Sequence, residues 1–305
     1  MAEAPSATHP DAALVREHLE ALRHQRRLAS GTLTNYARSL AVLLRLAQGK
    51  PLAALDGVQV RHYMAQLHAA GLSSRSLAGT LSAWRGLYRW LVRHRGFRGN
   101  PCEGVRAPKA ARTLPKALSV EAAQRLLEGG PAASPALARD QAMFELMYSS
   151  GLRLAELVGL DFDAGRLDLA GGEVTVTGKG SKTRTVPVGG RARESLRRWL
   201  AVRAQLAAPQ ERALFVGARG ARIAAGTVRA RLQAWARRQG LESPLHPHML
   251  RHSFATHVLQ SSQDLRAVQE MLGHASISST QVYTHLDFQS LAKVYDAAHP
   301  RARRK

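Results

Sequence analysis

One cysteine, Cys102, stands in 305 residues. A single thiol excludes an internal disulfide framework and any metal site built from several cysteines, and beside Pro101 it reads as an inert packing residue. No charged-then-apolar signal opens the chain. Nor does any uninterrupted apolar run reach the length of about 20 residues that a spanning helix needs, so a cytoplasmic protein is expected. Acidic residues are the other scarcity: 22 Asp+Glu face 44 Lys+Arg, for a formal charge of +22. The excess is spread along the chain, with 16 basic against 6 acidic residues in 1–110 and 28 against 16 in 111–305. Such a field attracts a polyanion through counterion release and steering, which makes nucleic acid the first partner to consider. Basic character in both halves suits a protein that surrounds its polyanion better than one with a single basic tail.

Cofactor motifs are missing as well. Gly172 and Gly178 have five residues between them instead of four, and Gly180 follows Lys179, so the phosphate-cradling Walker pattern is absent. His246, His248, His252 and His257 are dense, but no carboxylate or thiol lies at ligand spacing, so no metal and no cofactor are expected.

What is present suffices for two cores, since the length exceeds what one core usually organises and 45% of residues are hydrophobic. Apolar periodicity predicts helices over 11–28, 32–48 and 58–70, the last stopping at Gly71. A fourth starts from Ser73 or Ser74 and carries Leu77, Leu81, Trp84, Leu87, Tyr88 and Leu91. These make a four-helix N-terminal domain over 1–105. Gly96, Gly99, Pro101, Gly104, Pro108 and Pro115 punctuate the stretch from Arg95 to Pro115, which is expected to stay solvated and to supply a basic linker over 106–115. The second domain, 116–305, opens with a Ser119-capped helix over 120–127 and another over 136–149. Glu173–Thr177 and Thr183–Pro187 alternate β-branched residues on both arms, a hairpin with Lys179 at its tip. Helical patterns follow at 190–207, 226–239, 248–260 and 264–272. The segment from Leu160 to Leu169 is poor in apolar residues for a strand before the hairpin, and the tail Pro300–Lys305 reads as simply basic. The fold class is therefore mainly α with a small antiparallel β-sheet, α+β.

Three dispersed motifs precede one polar tyrosine: Gly151-Leu-Arg153-Leu-Ala-Glu156, His248-Met-Leu-Arg251-His252 and Leu272-Gly-His274, then Tyr283. His248 and Arg251 are three apart, one turn from each other on the same helix face, and Pro247 fits that helix's first turn. Two guanidiniums, Arg153 and Arg251, suit the non-bridging oxygens of a phosphodiester under displacement. A tyrosine hydroxyl attacking phosphorus conserves the bond energy in a covalent intermediate, so resealing needs no ATP. The departing 5′-oxygen needs a proton, which a lysine or imidazole can supply, and Lys179 is placed for it. Glu156 reads as an orienting partner for a helix or an arginine. Singly, an arginine is usually a surface charge and a tyrosine usually core; the weight lies in the combination.

The stretches Ser150-Gly-Leu-Arg-Leu-Ala-Glu-Leu157, Val176-Thr-Gly-Lys-Gly-Ser-Lys182, His246-Pro-His-Met-Leu-Arg-His-Ser-Phe-Ala-Thr-His257 and Met271-Leu-Gly-His-Ala-Ser-Ile-Ser-Ser-Thr-Gln-Val-Tyr-Thr-His285 resemble the tyrosine recombinases of lambda-integrase type. The resemblance implies an N-terminal core-binding domain and a C-terminal catalytic domain that clamp double-stranded DNA. It implies a catalytic set of Arg153, Lys179, His248, Arg251, His274 and Tyr283, with Tyr283 forming a 3′-phosphotyrosyl intermediate. In that set His248 serves as general acid/base toward the nucleophile, Lys179, preferred over Lys182, protonates the 5′-oxygen, and His274 hydrogen-bonds a non-bridging oxygen. The end from Thr284 to Ala302 is similar to the Xer branch of that family. This implies a dif-like site, a XerD-like partner in a heterotetramer of two plus two, an FtsK-like translocase as activator, and a C-terminal segment, from about Leu286, that packs into a neighbouring subunit. A type IB topoisomerase-like relaxing enzyme and a non-catalytic DNA-binding regulator of the same fold are the alternatives.

Overall fold

The structure, a computed structural model, describes residues 9–25, 30–109, 117–128, 133–162, 165–178, 183–241, 244–273, 292 and 294–302. The chain divides into two units, Met1–Thr113 and Leu114–Lys305, each with its own core. No helix among the described residues is long and apolar enough to cross a membrane.

In the first unit the predicted stripes become α1 (Ala12–Gln25), α2 (Ser30–Ala47), α3 (Gly57–Ala69) and α4 (Ser74–Arg95). Local chemistry sets the ends. Asp56 and Gln59 cap the start of α3 reciprocally, Ser73 caps α4, and Gly96 ends α4 in the left-handed region at φ 67°. Leu40, Leu43, Leu44, Leu77, Leu81, Trp84, Leu87 and Tyr88 meet in the core. The polar ends of the large aromatics are satisfied there: the Trp84 indole donates to the Ser39 carbonyl at 2.8 Å and the Tyr88 hydroxyl to that of Leu52 at 3.0 Å.

The stretch after α4 departs from expectation. Cys102 and Val105 are buried in this core, so the stretch is anchored to the first unit at those two points, while Arg95, Arg98, Gly99 and Glu103 are exposed as expected. Its irregular backbone is tolerated because the Arg85 guanidinium donates to the carbonyls of Cys102 and Val105, which replaces the partners water would supply. Burial pushes the Cys102 thiol up to about 12, consistent with an inert side chain.

The second unit runs α5 (Val120–Leu127), α6 (Pro135–Ser149), α7 (Leu154–Val158), β1 (Leu167–Asp168), β2 (Glu173–Thr177), β3 (Thr183–Pro187), α8 (Gly190–Val202), α9 (Ala225–Arg238), α10 (Pro247–Ser262) and α11 (Leu265–Leu272). The strands form one antiparallel sheet in the order β1-β2-β3, with Val174 opposite Val186 and Val176 opposite Arg184. β1 is only two residues long, in keeping with the poor apolar content of its segment. α6 is buried continuously from Ala138 to Ser149, the hallmark of a helix surrounded by others.

The tail is not simply basic. Residues 294–298 are helical, and Tyr295, His299 and Arg301 are buried against their own unit. Arg301 forks onto the buried Glu145 of α6, the Tyr295 hydroxyl meets Ser149 Oγ at 2.6 Å, and the Gly190 N–H at the start of α8 donates to the Ala302 carbonyl at 2.8 Å. His299 is held between the rings of Tyr295, Tyr148 and Phe254.

Two outcomes are expected. Gly151 sits at φ 58°, and a Cβ there would lie 2.5 Å from Phe254 Cδ1. Left-handed strain of about 1–2 kcal/mol and overpacking of about 1–3 kcal/mol make Gly151→Ala a destabilising change, read as a lower Tm of the catalytic unit. Burial pushes His299 down to about 3, so its neutral form contributes stability that is complete above the unfolded histidine value of about 6.5 and is lost as pH falls toward 3. Tm measured from pH 7 down to 4 is expected to decline less steeply in His299→Phe than in the parent chain.

Candidate active site

Helix α6 ends at Ser149, and the left-handed Gly151 turns the chain so that buried Leu152 anchors it and Arg153 becomes the N-cap of α7. Glu156, one turn on, folds back. Its Oε2 accepts the Arg153 N–H at 2.8 Å and its Oε1 accepts Arg153 Nη1 at 2.9 Å. The motif around Arg153 is thus a turn, an anchor, a cation and the carboxylate that aims it. Glu156 is the orienting partner expected of it. Its side chain is only 2% exposed, against 36% for that of Arg153.

Arg251 arrives from α10, where Pro247 occupies the first turn as the sequence predicts. Its guanidinium is buried and donates to the carbonyls of Gly151 and Leu272, and Nη1 stands 4.0 Å from Glu156 Oε2. Burial, then repulsion from Arg153 and Arg184, brings Arg251 down to about 10 against the pull of Glu156, so it remains a cation at neutral pH. His248 lies one turn earlier on the same helix and is exposed. The structure therefore gathers Arg153 and Arg251 around one carboxylate and puts His248 on the helix that carries Arg251. Lys179, His274 and Tyr283 lie outside the described residues.

The site has a member that the sequence reading passed over. Arg184 on β3 donates Nη1 and Nη2 to the two Glu156 oxygens at 2.7 and 2.9 Å, and Nε to the Met271 carbonyl at 2.9 Å. Strand alternation held the signal, since position 184 shares the inward face with buried Val186, and a charge at an inward register announces a buried ion pair.

Three guanidiniums thus share a single carboxylate. Among these four groups the balance is two positive charges, which leaves the cluster suited to an anion with several oxygens, such as a phosphodiester. Burial alone would raise the Glu156 carboxyl, but hydrogen bonds from Arg184 and the Arg153 backbone outweigh it and hold the group below the usual carboxylate range. A depressed carboxyl contributes stability above its unfolded value of about 4.3 that is lost as pH falls through the lower folded value. Glu156→Gln is expected to cost on the order of 3 kcal/mol at pH 7, because it strips buried arginines of their partner. In thermal denaturation the gap between parent and variant is expected to narrow once pH drops below about 4.

Comparison with known proteins identifies the family and the fold. Residues 116–290 match the Phage integrase family and residues 15–95 match the Phage integrase, N-terminal SAM-like domain. Tyrosine recombinase XerC 1 of Ralstonia nicotianae is 53% identical over 322 aligned residues, which cover 99% of this chain and 97% of that protein. Tyrosine recombinase XerC of Azotobacter vinelandii is 54% identical over 94% of this chain and 96% of its own length. Among solved structures, XerH site-specific recombinase bound to palindromic difH substrate, a post-cleavage complex, has a TM-score of 0.67 at 23% identity, covering 95% of this chain and 90% of that one. A lambda integrase dimer bound to a COC′ core site has a TM-score of 0.68 at 16% identity, covering 89% of this chain and 98% of that one. At those identities the two structures establish the shared fold, while the sequence relatives establish the kinship: this chain belongs to the phage integrase family and is a XerC-like tyrosine recombinase, an enzyme of site-specific DNA recombination.

Proposed function

We propose that this recombinase cuts and rejoins double-stranded DNA through Tyr283, acting on a phosphate clamped by Arg153 and Arg251. The observation that carries the reading is the pair of guanidiniums gathered on Glu156 with positive charge to spare. The Tyr283 hydroxyl attacks phosphorus and gives a 3′-phosphotyrosyl enzyme and a free 5′-hydroxyl, which then attacks the phosphotyrosine of a partner subunit. Bond energy is conserved, so neither nucleotide nor metal is needed. His248 acts as general acid/base toward the nucleophile, Lys179 protonates the 5′-oxygen, and His274 hydrogen-bonds a non-bridging oxygen.

The likeness to XerC proteins supports a finer reading: action in the cytoplasm at a dif-like site, resolving chromosome dimers during segregation and cell division. The XerH structure with its difH substrate is in keeping with that target. In this reading the helical domain, residues 1–105, the linker, 106–115, and the catalytic domain, 116–305, clamp the duplex. A XerD-like recombinase completes a heterotetramer of two plus two and an FtsK-like translocase activates it. Tyr295, His299 and Arg301 pack on their own unit, so a link from the C-terminal segment to a neighbouring subunit would have to form outside those contacts or in place of them.

A nicked suicide substrate bearing a dif-like site tests chemistry and partner together. The parent chain is expected to trap a covalent protein–DNA adduct, more of it with a XerD-like partner, and Tyr283→Phe none; adducts surviving that change would overturn the nucleophile. Lys179→Ala is expected to slow cleavage by about 10²–10⁴-fold. A 5′-bridging sulfur, a leaving group that needs little protonation, is expected to restore it. Rapid relaxation of supercoiled plasmid lacking the site, without strand exchange, would instead favour a topoisomerase-like activity.

A further inference from the structure

We propose that Arg184 is a positioning residue of the phosphate site, acting through Glu156 to keep the two phosphate-binding guanidiniums available. The inference rests on the assignment of Arg153 and Arg251 as the phosphate clamp. A carboxylate offers about four acceptor sites. In Glu156 all four are occupied: Oε1 by Arg153 Nη1 and Arg184 Nη1, Oε2 by the Arg153 backbone N–H and Arg184 Nη2. Arg184 alone takes two of them with its fork, so Arg153 spends one Nη on the carboxylate and Arg251 stays 4.0 Å away.

Burial separates Arg184 from Arg153 but not from Arg251: the Arg184 and Arg251 side chains are each 10% exposed, while that of Arg153, at 36%, faces outward where a phosphate can reach it. Without the inner fork a buried carboxylate would have two acceptor sites to fill, and an unsatisfied buried acceptor is costly. The nearest remaining donors are Arg153 and Arg251. Pairing with either would withdraw it from the substrate.

Arg184 also fixes the other acceptors that those arginines use. Its Nε donates to the Met271 carbonyl, and its Cδ lies against Gly273, where a Cβ would come within 3.0 Å. The next two carbonyls along that helix end, of Leu272 and Gly273, receive Arg251 and Arg153 respectively. One guanidinium thus sets the carboxylate and the helix end against which both clamp residues are held. Lysine offers a point charge instead of a planar fork and cannot make the two parallel bonds and the Nε bond together.

The test compares Arg184→Lys and Arg184→Gln with the parent full-length chain, measuring the single-turnover rate of adduct formation at saturating suicide substrate. DNA affinity and Tm are measured alongside. Both variants are expected to react about 10–10²-fold more slowly, with affinity little changed. A methylphosphonate at the scissile position removes the charge that the clamp neutralises, so the gap to the parent is expected to shrink to less than about threefold there. Adding Glu156→Gln to Arg184→Gln removes the carboxylate that would capture the clamp, and the double variant is expected to react faster than Arg184→Gln alone. An equal gap on phosphate and methylphosphonate, a loss that follows DNA affinity or Tm, or rescue by a 5′-bridging sulfur would overturn the proposal. If Arg184→Gln does not fold, the methylphosphonate comparison on Arg184→Lys decides alone. A parent chain that forms no adduct would count against the clamp assignment itself.

Discussion

The site depends on one buried carboxylate that must be fully satisfied. An ionised Glu156 away from water is costly by several kcal/mol unless its oxygens are hydrogen-bonded, and the chain meets that demand from segments far apart in sequence. The turn after α6 supplies Arg153, the sheet supplies Arg184, and α10 brings Arg251 to its margin. Satisfying one acid therefore aligns a turn, a hairpin and a helix, and the alignment leaves a net positive cluster, the proposed phosphate site.

Much of this fold was legible because most of its helices are amphipathic and capped. Ser73, Ser119 and the glycines at 71, 240 and 273 lie where the periodicity ends, so element boundaries and chemistry agree. The hairpin was legible for the analogous reason at a period of two. What escaped had no periodic signature. α7 spans five residues, too short for one, and β1 only two. The stretch after α4 has the composition of a solvated linker, yet Arg85, a turn or more back on α4, feeds its carbonyls. Arg301 looked like part of a basic tail because its partner, Glu145, is 156 positions away on a helix with no exposed face.

The site itself was legible only as a set. Arg153 and Arg251 are ordinary residues singly, and their motifs identify them only together with the lysine, the histidines and the tyrosine. Arg184 illustrates the converse: its inward register beside Val186 hints at a buried ion pair, but its partners, Glu156 and the Met271 carbonyl, lie far away in sequence. Sequence motifs mark the groups proposed to touch substrate more readily than the one proposed to hold them in place.

The interior arginines also change how the chain's electrostatics is to be counted. Arg139, Arg203, Arg251 and Arg301 are buried, and Arg184 nearly so. Arg139 and Arg301 are matched to Asp140 and Glu145, whereas Arg203 is spent on the carbonyls of Glu211 and Ala213 and on the ring of Phe162. Arg139, Arg203 and Arg301 work as internal scaffolding and release no counterions when a duplex arrives, unlike Arg251, which is assigned to the phosphate. Arg139 and Arg301 are cancelled by their own acids, so burying them leaves the formal +22 almost unchanged and instead lowers how many of the 44 Lys+Arg can meet phosphate. Ionic-strength dependence will report that smaller number, so a count of Lys+Arg from the sequence overstates how many phosphates the chain can neutralise.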